Sequence, residues 1–145
     1  MEYLNKQLYL HQYAEVIDAA FKSGKTVRIK IIGSSMSPAL KENESVVLQK
    51  PDKLSKADII LYKIDETEFC LHRIIKSGEV LRTLGDNNIV AESVRPENVI
   101  AKVQSIEKTN KIIKRRSLMY YGYFCYSRIR RLYRRVRNKV KNEKS

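Results

Sequence analysis

Three short boxes in this chain hold residue types that could together cut an acyl bond: Gly33-Ser34-Ser35-Met36-Ser37-Pro38, Leu71-His72-Arg73-Ile74 and Gly85-Asp86-Asn87-Asn88. A serine hydroxyl is a weak nucleophile at its free pKa. Attack on a peptide carbonyl therefore requires a neighbouring imidazole to take its proton and a third group to orient that imidazole. Ser35, His72 and Asp86 are the residues that would fill these roles. Taken singly, each box has a plainer reading, since Ser-Met-Ser-Pro also suits an ordinary turn and a strand histidine is more often structural than basic. Their weight comes from occurring together and in this order.

The secondary structure that would place these boxes is set by hydrophobic period. Leu10, Tyr13, Ile17 and Phe21 recur at helical spacing between about Asn5 and Ser23, and Gly24 stands where a helix commonly ends. Val27, Ile29 and Ile31 alternate with Arg28 and Lys30, which predicts a half-exposed strand leading into Gly33. Val46 to Leu48, Ile59 to Tyr62, Phe69 to Ile75, Val80 to Leu84 and Val99 to Val103 are short apolar or β-branched runs between polar turns. The fold class predicted is mainly β: an antiparallel folded-over sheet or partial barrel with a helix at each end. The organisation read from this is an N-terminal helix over 1–24, a β domain over 25–110 and a basic helical tail over 111–145. His72 falls inside one strand and Asp86 just beyond the next.

Composition narrows the alternatives. A chain of 145 residues suits one domain with a proper core. Its 2 cysteines match neither a disulfide scaffold nor a four-ligand zinc site, so Cys70 and Cys125 read as buried thiols and no metal or organic cofactor is expected. The longest uncharged run, Ser117 to Ser127, has 11 residues, whereas a spanning helix needs roughly 20 apolar ones. No secretory signal opens the chain, and the expected location is cytoplasmic or peripheral on the inner face of a membrane. The net charge of +13 is uneven: residues 111–145 carry 13 Lys and Arg against 1 acid. A basic partner surface would belong to the tail alone.

The boxes resemble those of the signal peptidase I superfamily, which also includes the self-cleaving repressors, and the resemblance runs from about Val27 to Val103. It implies a fold of the signal-peptidase type with Ser35, in the Ser-Met-x-Pro segment, as nucleophile. Lys56-Ala57-Asp58-Ile59-Ile60-Leu61-Tyr62-Lys63 is similar to the family's structural Gly-Asp-Ile-Val strand, with Ala57 in place of the usual glycine. Where bacterial members and repressors have a lysine base this chain has His72, as does the endoplasmic-reticulum and archaeal branch, which the Gly-Asp-Asn-Asn run also resembles. An imidazole is poised near neutral pH and mainly needs orienting. The branch implies two carboxylates for that task, Asp86 and, six positions on, Glu92. Many relatives place an oxyanion-hole serine at the position of Gly33, so the hole would be made of backbone amides around Ser35, helped by Ser34.

The activity implied is a serine endopeptidase acting on a leader or signal-like segment of a peptide or protein precursor. Two alternatives stand beside it. A self-cleaving regulator is disfavoured because the 24 residues before the first strand cannot hold a helix-turn-helix domain; the other is a non-catalytic binding module on the same fold. In the tail, Tyr121, Cys125, Ile129, Leu132, Val136 and Val140 repeat at 3 and 4 residues, predicting an apolar stripe amid arginines. Tyr121, Phe124, Arg128, Arg131, Arg134 and Arg135 are the residues expected to meet an anionic membrane surface. Nucleic acid is the less favoured partner, and the sequence carries no signal of oligomeric state.

Overall fold

The computed structural model describes residues 2–65 and 68–143, with side chains from residue 12 onward. A helix, α1 (Glu2–Lys22), leads into β1 (Val27–Lys30), β2 (Ser45–Gln49), β3 (Ile59–Lys63), β4 (Phe69–Lys76), β5 (Leu81–Leu84) and β6 (Glu92–Val94). Then come β7 (Val99–Lys108), β8 (Lys111–Lys114) and a second helix, α2 (Leu118–Glu143). Of the expected helical positions, Leu10 lies outside the described side chains, Ile17 is buried in the core and Phe21 packs against it.

All eight strands form one antiparallel sheet in the order β1-β2-β7-β3-β4-β5-β6, with β8 also on β7. The fold is thus mainly β, with a helix at each end, as its short alternating runs predict. β6 escapes a sequence reading because 3 residues hold too little of a period-2 pattern, and β8 because Lys111-Ile112-Ile113-Lys114 does not alternate and runs into the basic tail. β8 pairs with β7, so residues 111–114 belong to the sheet and the helix begins at Leu118.

β3 is buried on both faces and separates two cores. Ile59 and Leu61 point into the larger one with Ile17, Met36, Leu40, Val46, Val103, Ile106 and Tyr120. Ile60 and Tyr62 point the other way, into a smaller cluster with Ile74, Leu81, Val94 and Val99. Period-2 alternation on one strand therefore serves two cores. Two turns take up left-handed backbone on the approach to the boxes. Gly33, at the end of the segment after β1, has φ +87°, and Ala57, just before β3, has φ 75°. The second lies where the family resemblance implies a glycine, and left-handed backbone is the conformation that glycine adopts without steric cost.

Candidate active site

The β4/β5 register pairs Arg73 with Leu84 and Ile74 with Thr83, so β5 ends one residue before Gly85 and one pair short of His72. Gly85 is also the point of contact with the first box. A Cβ built there would lie 2.6 Å from the Ser35 carbonyl oxygen and 2.9 Å from Asn88 Nδ2, so only glycine allows the two boxes to approach so closely. The rest of the Gly-Asp-Asn-Asn run then holds the serine turn. The Asn87 amide donates to the Ser35 carbonyl at 2.8 Å, Asn87 Nδ2 donates to the Ser34 carbonyl at 3.3 Å, and the Asp86 amide meets Met36 Sδ at 3.5 Å. Ser35 is half-buried, Ser34 exposed and Met36 buried. Among the described residues no hydrogen bond occupies the Ser35 or Met36 amide.

His72 is buried, with 4 % exposure, on the face that carries Tyr62, Cys70 and Thr83. Its Nδ1 lies 3.1 Å from Tyr62 Oη and 3.4 Å from Glu92 Oε2. Tyr62 donates its single hydroxyl proton to Glu92, a carboxylate that can only accept, and its oxygen takes a hydrogen bond from Thr83 Oγ1 at 3.2 Å. With that proton committed, Tyr62 can face Nδ1 only as an acceptor. The network therefore assigns the imidazole hydrogen to Nδ1 and the lone pair to Nε2, which has Cys70 Sγ 3.4 Å away. Burial pushes the His72 pKa below its usual value, while Glu92 and, after it, Asp86 pull it back up. Burial also raises Tyr62, with the bond to Glu92 adding to the effect, so it stays a neutral phenol.

Asp86 is on the other side of β4. Arg73 Nε donates to its Oδ1 at 2.9 Å and Arg73 Nη2 to its Oδ2 at 2.8 Å, while Nη1 reaches the Ala57 carbonyl at 3.0 Å. The guanidinium, fully buried, lies 4.9 Å from the Tyr120 ring centroid and 5.6 Å from that of Phe124. The structure thus brings Glu92 to the imidazole and gives Asp86 to Arg73. Among the described residues the polar partners of His72 are Tyr62, Cys70 and Glu92, and Ser35 Oγ is not one of them. Tyr62 is the member of this network that the sequence did not offer. It reads as the last apolar residue of a strand, and only the β3/β4 register, Tyr62 with Cys70 and Ile60 with His72, sets it beside the imidazole.

Two expectations change with the geometry. Cys125 is exposed and Cys70 only half-buried, so neither is the fully buried thiol expected. Phe124, placed by sequence among membrane-facing residues, is buried against the domain. Arg131 Nε and Arg134 Nη1 donate to the carbonyls of Asn88 and Asn87, each at 3.2 Å. Phe124, Arg131 and Arg134 continue the line of Tyr120 and Ser127 along one narrow face of α2, and the two arginines clamp the Gly-Asp-Asn-Asn run from outside. Among the described residues, one group has metal-ligating atoms gathered closely: Cys70, His72 and Glu92, all within 4.8 Å of one another.

The family model described as Peptidase S24-like matches residues 2–113, which takes in all three boxes and stops short of α2. No curated protein matches the chain.

Proposed function

The chain belongs to the Peptidase S24-like family, a family of serine peptidases and self-cleaving repressors, and from that premise we propose that it is a serine endopeptidase in which Ser35 attacks and His72 is the base. The observation that supports this reading most is that Tyr62 and Glu92 hold Nδ1 of His72, as an imidazole base must be held, on the strand beside the one that leads into Gly85, which packs on the Ser35 turn. Ser35 Oγ adds to the scissile carbonyl as its proton passes to Nε2; the imidazolium then gives that proton to the leaving amine. Water, deprotonated by the same nitrogen, then attacks the acyl carbonyl, and the imidazolium returns the proton to Ser35 Oγ as that oxygen leaves. Glu92 holds the imidazole through Nδ1–H and balances its positive charge during each transfer. Amides of Ser35 and Met36, with Ser34 nearby, would receive the oxyanion. The substrate class is a leader or signal-like segment of a precursor, with small residues beside the cut. A base that is histidine and a Gly-Asp-Asn-Asn run favour the Ser-His branch within the wider family.

A serine-directed fluorophosphonate tests this directly. Labelling of Ser35 that is lost in Ser35→Ala and strongly slowed in His72→Ala is the expected result. A folded chain that neither labels nor cleaves any leader-bearing precursor in a Ser35-dependent way would leave a binding module.

One observation favours a second property of the same molecule, attachment to an anionic membrane surface. The outer face of α2 presents Leu118, Tyr121, Ile129, Leu132, Val136 and Val140, all exposed, while exposed Arg128 and Arg135 border it. No helix of the described residues is long and apolar enough to cross a membrane, and a helix lying flat on the interface needs no such length.

A further inference from the structure

We propose that Cys70, His72 and Glu92 form an inhibitory site for a zinc-class divalent cation, an inference that rests on His72 being the base. The three donors all belong to the ligand set of zinc: a soft thiolate, a borderline imidazole and a hard carboxylate. Their spacing also fits. Bonds of about 2.0–2.3 Å at tetrahedral angles place ligand atoms roughly 3.3–3.6 Å apart. Cys70 Sγ lies 3.4 Å from both ring nitrogens of His72, Glu92 Oε2 lies 3.4 Å from Nδ1, the nitrogen the two share, and the three ligand atoms are all within 4.8 Å of one another, so binding requires the Cys70 and Glu92 side chains to close on the ion. Glu92 is the donor with room to adjust, being 43 % exposed at its side chain, and it lines a cleft of about 350 Å³ with Tyr62, Lys63 and Ile64 through which an ion could enter. Three protein ligands leave a fourth position for water.

The site differs from an incidental cluster in what it does to the imidazole. A cation on Nδ1 displaces the hydrogen that the Tyr62 and Glu92 network places there. A neutral imidazole then carries its hydrogen on Nε2, where the lone pair had been. Nε2 becomes a donor and can no longer take the Ser35 proton. The Cys70 thiol gives up its proton to solvent as the metal–sulfur bond forms, and Glu92 exchanges the Tyr62 hydroxyl for the ion. Inhibition thus proceeds by exchanging the tautomer, without blocking Ser35.

The test uses the full chain carrying Cys125→Ser, so that Cys70 is the one thiol. Titration with Co²⁺ should give a near-ultraviolet thiolate-to-cobalt charge-transfer band and tetrahedral visible bands, both removed by equimolar Zn²⁺. Cys70→Ser should abolish the charge-transfer band, and Glu92→Gln, which keeps the thiol at a half-exposed position, should weaken cobalt binding. Zn²⁺ should slow cleavage of a precursor or Ser35 labelling in the Cys125→Ser protein, and far less in Cys70→Ser relative to that variant's own metal-free rate. Absence of the band, or a cobalt spectrum indifferent to both substitutions, overturns the site. A band with no Ser35 chemistry keeps the metal site and removes the peptidase reading; cleavage without a band does the reverse.

Discussion

A strand sends successive side chains to opposite faces, and that alternation splits the Leu71-His72-Arg73-Ile74 box into two separate tasks. His72 looks toward Tyr62 and Glu92, whereas Arg73 looks toward Asp86 and the aromatic residues of α2. Two carboxylate substitutions separate these tasks. In Glu92→Gln the negative charge that raises the His72 pKa is gone, while the burial that lowers it stays. Under the proposed mechanism His72 works as a base only when neutral, so the acid limb of the kcat/KM profile should move to lower pH. The rate on the plateau should nevertheless fall, by roughly 10²- to 10⁴-fold if orientation of the base is lost. The groups facing the imidazole during this titration are Tyr62 from β3, Cys70 from β4, Thr83 from β5 and Glu92 from β6, with Asp86 acting at a distance. In Asp86→Asn the buried Arg73 loses its partner, a type of change that costs about 3–5 kcal/mol. Urea unfolding should show that loss, and the acid limb should move less than in Glu92→Gln. If Asp86→Asn kept its stability and moved the limb further than Glu92→Gln, Asp86 would be the orienting carboxylate.

At the scale of elements, the turn before β3 carries a conflict that can be relieved. Ala57 sits at φ 75° with its carbonyl bonded to Arg73 and its amide donating to the Ile74 carbonyl at 2.8 Å, so the backbone is held in place from both sides. A left-handed conformation costs an L residue about 1–2 kcal/mol, and glycine returns part of that gain through its freer unfolded chain. Ala57→Gly should therefore stabilise the protein by about 0.5–1 kcal/mol, read as a higher urea midpoint at unchanged slope. The same segment shows how far the sequence could be read. Ile59 to Tyr62 announced a strand and the substituted glycine was visible by resemblance, but which of four apolar residues would meet a histidine depended on register. Glu92 illustrates the same limit. It enters through β6, too short to register as a strand, and reaches the imidazole only because Thr83 pairs with it across β5. The boxes that hold Ser35 and His72 could be picked out because each is local; the contacts that gather the boxes are long-range and belong to the sheet.

On the scale of the whole molecule, α2 lies outside the family match yet touches the site through its inner face. At about 100° per residue, Tyr120, Phe124, Ser127, Arg131 and Arg134 share one narrow stripe, and Tyr121, Cys125, Ile129, Leu132, Val136 and Val140 share another about 150° away. The sequence showed the second stripe plainly, being apolar throughout. It hid the first, because two aromatic residues, a serine and two arginines do not look like a buried face. The helix therefore holds the domain with one side and leaves the other exposed, the side proposed to meet lipid, with Arg128 and Arg135 between the two. Exposed apolar residues at a charged border bind an interface through burial of their side chains together with attraction to anionic headgroups. Flotation with anionic vesicles should carry the protein upward at low salt and less at high salt, where screening shortens the reach of the arginines. Ile129→Asp with Leu132→Asp should abolish flotation and leave the unfolding midpoint nearly unchanged, since both positions are more than 60 % exposed (69 % and 64 %). Phe124→Ala is the opposite control: it empties the space under Arg73 and should cost about 3–5 kcal/mol at most, with flotation of the folded fraction retained. Flotation that survives the double aspartate variant, or that is equal on neutral vesicles, would show that this outer stripe is not a lipid-binding face.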